Sequence, residues 1–200
     1  MELRMFFLVM YNLSPIQQGI QAGHCALRYS RKYKDDETFG DFVDNYETFV
    51  LLNGGTSNSG FIQEREIVYK DGTVDIKGVY DELAKGSMEM HEKYLIENKI
   101  PFTAFREPDA NKSLTALCFI CDERVFKMKE YPPFKDWIKD NVEFMITPEF
   151  NDPDLEMFLD TEEPPYNHPK LNDLYIKWVE FIGGAENVAK KNLIQGKKLA

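Results

Sequence analysis

The feature that most constrains this chain is a junction near its start, where Met5-Phe6-Phe7-Leu8-Val9-Met10-Tyr11 runs straight into Asn12-Leu13-Ser14-Pro15-Ile16-Gln17. A continuous apolar run of this length is what a central strand covered on both faces requires. Ser14 then stands as an N-cap, Pro15 at the first helical position and Gln17 three residues after Ser14, which together form a capping box. A strand buried on both sides that turns directly into a helix implies an α/β architecture. The apolar run is too short to span a bilayer, and Glu2 and Arg4 do not give it a signal-peptide layout, so a soluble cytoplasmic protein with no membrane association is expected.

The rest of the chain extends this pattern. The first helix should continue to about Tyr33, a second should run from Thr38 to Tyr46, and a strand should follow from Thr48 to Leu52. Asn53-Gly54-Gly55-Thr56-Ser57-Asn58 reads as a surface turn, since it lacks the lysine and spacing of a phosphate-binding loop. Asp71-Gly72, between Glu66–Lys70 and Thr73–Ile76, is a two-residue hairpin signal. Ser87 is expected to cap a helix that ends near Lys99, and strands are expected at Phe102 to Phe105 and Leu114 to Ile120. These elements imply a mixed, mostly parallel four-stranded sheet flanked by helices, with a hairpin insertion at about 60–80. We place this α/β domain at 1–128 and a C-terminal extension, packed on the same domain, at 129–200.

That extension carries a helix at Pro133 to Asp140 and then an acidic, proline-rich stretch from Thr147 to Pro169. A further helix starts at Pro169, with Leu171, Leu174, Tyr175, Trp178, Phe181 and Ile182 at helical spacing, and Gly183-Gly184 stops it. A last helix runs from Ala185 to about Gln195. The helix bearing Trp178 and Phe181 offers one surface for a homodimer.

Composition narrows the function. The 200 residues are 43% hydrophobic and 14% aromatic, as in an ordinary globular chain, and the net charge is −10. That charge argues against broad nucleic-acid binding, which depends on phosphate neutralisation. Its distribution is uneven: Arg4, Arg28, Arg31, Lys32 and Lys34 face only Glu2 in the first 34 residues, whereas residues 140–163 hold nine acids and no Lys or Arg. The three cysteines do not form a disulfide framework. Cys118 and Cys121 stand three apart on an expected strand, on opposite faces, and so read as core residues rather than a metal or redox pair. His91 and His168 have no partner at metal-ligand spacing, and no metal or cofactor is expected.

The first helix carries the candidate chemistry. Ile16, Ile20, Gly23 and Leu27 recur at i, i+4, i+7 and i+11 and are expected to face the sheet. Gln17, Gln21, His24 and Arg28 follow the same spacing one residue on and form an adjacent polar stripe. It begins at a helix N-terminus beyond the carboxyl end of a strand, the usual place for a ligand in an α/β sheet. Gly19 and Gly23 leave room for another backbone or a ligand. Two readings stay open on spacing alone, a ligand-binding stripe and a cap with ordinary surface residues.

Leu13-Ser14-Pro15-Ile16-Gln17-Gln18-Gly19-Ile20-Gln21-Ala22-Gly23-His24-Cys25-Ala26 resembles the first-helix motif of the type II peptidyl-tRNA hydrolase family, a Gly-Lys-x-Ala-Ala-Gln-x-x-His-Ala pattern after a hydrophobic strand. It is more similar still to the L-S-P-x-Q-Q-x-x-Q-x-G-H-A form of viral and bacterial relatives of that fold. Phe105-Arg106-Glu107-Pro108-Asp109 and Leu114-Thr115-Ala116-Leu117 resemble the family's Asp-bearing loop and last strand, so the similarity covers roughly residues 5–125. The resemblance implies catalytic roles for His24 and Asp109 and substrate contacts from Gln17, Gln21, Arg28, Arg106 and Thr115. The family's catalytic lysine is replaced by Gln17, which cannot carry positive charge, and the family's Asp-Ala-Gly reads Asp109-Ala110-Asn111 here.

Two functions are therefore expected to compete. One is a peptidyl-tRNA hydrolase-like protein that hydrolyses or binds the acyl end of tRNA or a related nucleotide-bearing ligand. The other is a catalytically silent module on the same fold that engages a protein partner through its acidic C-terminal extension.

Overall fold

The computed structural model describes residues 1–57, 63–68, 74–79, 86–141 and 169–200. They form, in order, β1 (Leu3–Met10), α1 (Pro15–Lys32), α2 (Glu37–Asn45), β2 (Phe49–Gly55), β3 (Gln63–Val68), β4 (Val74–Val79), α3 (Ser87–Glu97), β5 (Thr103–Glu107), a 3-10 turn (Pro108–Ala110), β6 (Ser113–Asp122), α4 (Glu123–Phe126), α5 (Phe134–Asn141), α6 (Pro169–Phe181) and α7 (Ala185–Ile194). They divide into two compact units: Glu2–Ile120 with Leu193–Ala200, and Cys121–Asn192 with Met1.

The first unit is an α/β unit built on a four-stranded sheet of order β2-β1-β6-β5. The sheet is mixed, but not mostly parallel. β1 pairs parallel with β2, in a register from Met5–Phe49 to Met10–Gly55, whereas β5 pairs antiparallel with β6. The reason lies in the connection. Only residues 108–112 separate Glu107 from Ser113, and so short a link closes a hairpin, while a parallel pair needs a crossover of roughly a dozen residues or more.

β1 is buried along its length, as its unbroken apolar run requires. Leu3, Met5, Phe7 and Val9 join Phe105, Ala116, Cys118 and Ile120 in a core closed by Ala22, Cys25 and Tyr29 of α1 and Phe42 of α2. On the opposite parity Phe6 stacks on Phe119, with ring centroids 6.4 Å apart. Asn53 and both glycines after it belong to β2 rather than to a surface turn. The close approach of Met88 explains Gly54: a Cβ there would overlap the Met88 sulfur. Ser87 does not cap α3; Gly86 holds that position, and the Ser87 hydroxyl accepts from the Thr56 amide at 2.9 Å.

β3 and β4 form a separate antiparallel pair with Val68 opposite Val74. A two-residue turn at Asp71-Gly72 would set Val68 opposite Asp75, so the register is one residue away from that expectation. The turn itself lies outside the described residues, as do His168 and residues 142–163 of the acidic stretch.

The second unit has its own core of Phe134, Ile138, Leu171, Leu174, Trp178 and Ile182. Trp178 is spent there, its indole N–H donating to the Pro132 carbonyl at 3.0 Å, so it is not available as an exposed dimer anchor. Gly183 and Gly184 end α6 at φ +90° and +102°, as the double glycine predicts. Lys191 is 1% exposed, and its ammonium donates to the carbonyls of Arg124, Val125 and Tyr131 at 3.3, 3.3 and 2.7 Å. Burial lowers its pKa to about 8. No described helix is long and apolar enough to cross a membrane.

Candidate functional site

α1 begins as its sequence dictates. The Gln17 amide donates to Ser14 Oγ at 3.3 Å, and Gln17 Oε1 accepts from the Ser14 amide and hydroxyl at 3.0 Å each. Gln17 therefore spends its acceptor on the capping box.

The helix is rotated relative to the expectation from hydrophobic spacing. Ile16, Ile20 and Leu27 do not face the sheet; they are 78%, 51% and 70% exposed. The buried positions are Gln18, Gln21, Ala22, Cys25 and Tyr29. Small side chains at 22 and 25 let the helix lie close against the strands, and the two glutamines satisfy their amides inside the fold. Gln18 Nε2 donates to the Met10 carbonyl at 3.3 Å.

Gln21 is the centre of the polar site. Only 7% exposed, it donates from Nε2 to Glu107 Oε2 at 2.7 Å and accepts at Oε1 from the Thr115 hydroxyl at 2.8 Å. One carboxamide thus ties α1 to β5 and β6. Its oxygen and one N–H are already engaged within the fold, so it positions Glu107 and Thr115.

His24 and Arg28 share a platform. The His24 ring is exposed and stacks on Phe105 with centroids 4.7 Å apart and planes at 16°. The Arg28 guanidinium lies 4.5 Å from the same ring centroid and donates to the Ala104 carbonyl at 3.0 Å.

These contacts fix the direction of the helix. Gln21 meets Glu107, Cys25 Sγ lies 3.2 Å from the Thr103 carbonyl, and Lys32 reaches the Phe102 carbonyl at 3.1 Å. The helix advances as the strand retreats, so the N-terminus of α1 and the turn carrying Asp109 share one end of the sheet. Asp109 is exposed there, two residues beyond Glu107. Arg106 stands apart from the stripe, pairing with Glu92 at 2.5 Å. Burial raises the Glu92 pKa, and Arg106 opposes that shift.

Glu107 and Phe105 are the residues that sequence reasoning missed. Their signal lies in Phe105-Arg106-Glu107-Pro108-Asp109, where a proline stops the strand directly after a carboxylate.

The other candidates are structural. Cys118 belongs to the α1-side core while Cys121 has the opposite parity, as strand alternation requires. Burial pushes the Cys118 thiol well up and the Cys121 thiol up to about 12, which leaves neither as a nucleophile. His91 accepts from Lys197 at 2.9 Å, and burial, aided by that ammonium, lowers its pKa to about 4. Among the described residues no group of His, Cys, Asp and Glu could hold a metal ion.

Comparison with protein families, characterised proteins and solved structures gave no match to this chain.

Proposed function

We propose that this chain binds the acyl end of a peptidyl-tRNA, or of a related nucleotide-bearing ligand, where the α1 N-terminus meets the Pro108–Ala110 turn, and hydrolyses its ester there. The observation that carries this reading is the Gln21 cluster. A helix glutamine, a strand-end glutamate and a strand threonine, far apart in sequence, are joined by two hydrogen bonds one turn from an exposed imidazole. The resemblance of the Leu13–Ala26 segment to the first helix of type II peptidyl-tRNA hydrolases supports the choice of substrate.

In this reading His24 takes a proton from the water that attacks the ester carbonyl and returns it to the departing sugar oxygen, and Asp109 orients that water. Gln21 holds Glu107 at the wall of the site, and Thr115, buried behind it, holds Gln21 in turn. Arg28, and Lys32 one turn on, receive phosphate along the β5 edge.

The test is release of tRNA from a peptidyl-tRNA mimic. His24→Ala and Asp109→Ala should each lower the rate at least about tenfold, and unchanged rates in both variants would remove the reading. One observation favours the silent module instead: Gln17 stands at the position of the family's lysine and its acceptor is bound to Ser14. In that case the mimic is retained without release, and a protein partner engages the acidic extension.

A further inference from the structure

The outer face of α1 has no role in the proposed site, and no described residue of its own unit covers Ile16, Ile20 or Leu27. Ile16, Ile20 and Leu27 line that face, and Ile20 and Leu27 continue across a cleft to Val43 and Phe49, themselves 42% and 49% exposed. The cleft, of about 730 Å³, includes Met5 and Phe42 of the core in its lining. A contiguous apolar strip on a polar chain marks an interaction surface. Gly19 and Gly23 lie on the same helix, and a Cβ built at either meets nothing within 4 Å. Glycine costs roughly 1 kcal/mol in a helix interior, and here no close approach among the described residues offsets it.

The charges around the strip select the occupant. On the α1 side Arg31 closes the stripe, fifteen residues after Ile16, and is exposed. On the other, α2 and the residues after it carry Asp41, Asp44 and Glu47, all exposed, and Glu47 lines the cleft. A rim of one sign would suit a partner of the opposite sign. A rim with a basic side and an acidic side suits its own copy, because a two-fold axis lays each basic side over the other's acidic side.

We infer that the α1 and α2 outer face is a two-fold interface between copies of this chain, with Ile20 and Leu27 at its centre and Arg31 of each copy opposite Glu47 of the other. His24 borders the cleft, but its ring lies on Phe105, so the interface is independent of the hydrolase reading.

Sedimentation equilibrium of the full chain over a concentration series tests it. The native chain should show a reversible dimer. Leu27→Asp, at an exposed position, should raise the dissociation constant at least about tenfold with a thermal melt unchanged from that of the native chain under monomeric conditions. Arg31→Glu should weaken the dimer, and Arg31→Glu combined with Glu47→Arg should restore it. A native chain that is monomeric throughout, or a dimer indifferent to Leu27→Asp, overturns the interface; failure of the charge swap to restore association overturns the two-fold pairing.

Discussion

Two stripes of α1 obey the same spacing and meet opposite fates. Ile16, Ile20, Gly23 and Leu27 are the more hydrophobic set, yet they face outward, while Gln18, Ala22, Cys25 and Tyr29 close the core. Apolar content alone did not decide which stripe went inside. The buried stripe offers two small side chains to β5 and β6, a tyrosine that fills the space toward α2, and glutamines whose amides find partners. A helix held this close to a sheet selects for fit and for satisfied polar groups as well as for hydrophobicity.

The largest expected effect comes from the inner side. Gln21→Leu removes the donor to Glu107 and the acceptor of Thr115 and should cost about 1–3 kcal/mol of unfolding free energy, read by urea denaturation. Leu27→Asp on the outer side should fall within about 0.5 kcal/mol under monomeric conditions. Equal losses would break the distinction between the two faces.

A smaller effect separates the cap from the ligand site. Gln17→Ala removes half of the capping box and should cost about 0.5–1 kcal/mol, with binding of the peptidyl-tRNA mimic unchanged. An unchanged melt with weakened binding would reassign Gln17 to the ligand.

How much of this was legible in the sequence follows from the same physics. The α1 start was fully legible, because Ser14, Pro15 and Gln17 act locally. The buried β1 and the double-glycine stop of α6 were legible for the same reason. The direction of β5 was not, since alternating strands and helices suggest parallel crossovers while the five-residue link to β6 forces a hairpin. The rotation of α1 was hidden because two stripes share one period. The Gln21 partnership with Thr115 and Glu107 was half visible: the resemblance named Gln21 and Thr115 separately, and only the chain's return through β5 brings Glu107 to them.

Thiol labelling reads the rotation of α1 directly, because Cys25, Cys118 and Cys121 are free and fully buried. The folded native chain at low concentration should react with a maleimide only on unfolding, and Leu27→Cys should add one thiol that labels at the rate of a free cysteine. Rapid labelling of Cys25 in the folded chain, or protection of the introduced thiol in a monomer, would contradict the placement on which the site and the interface both rest.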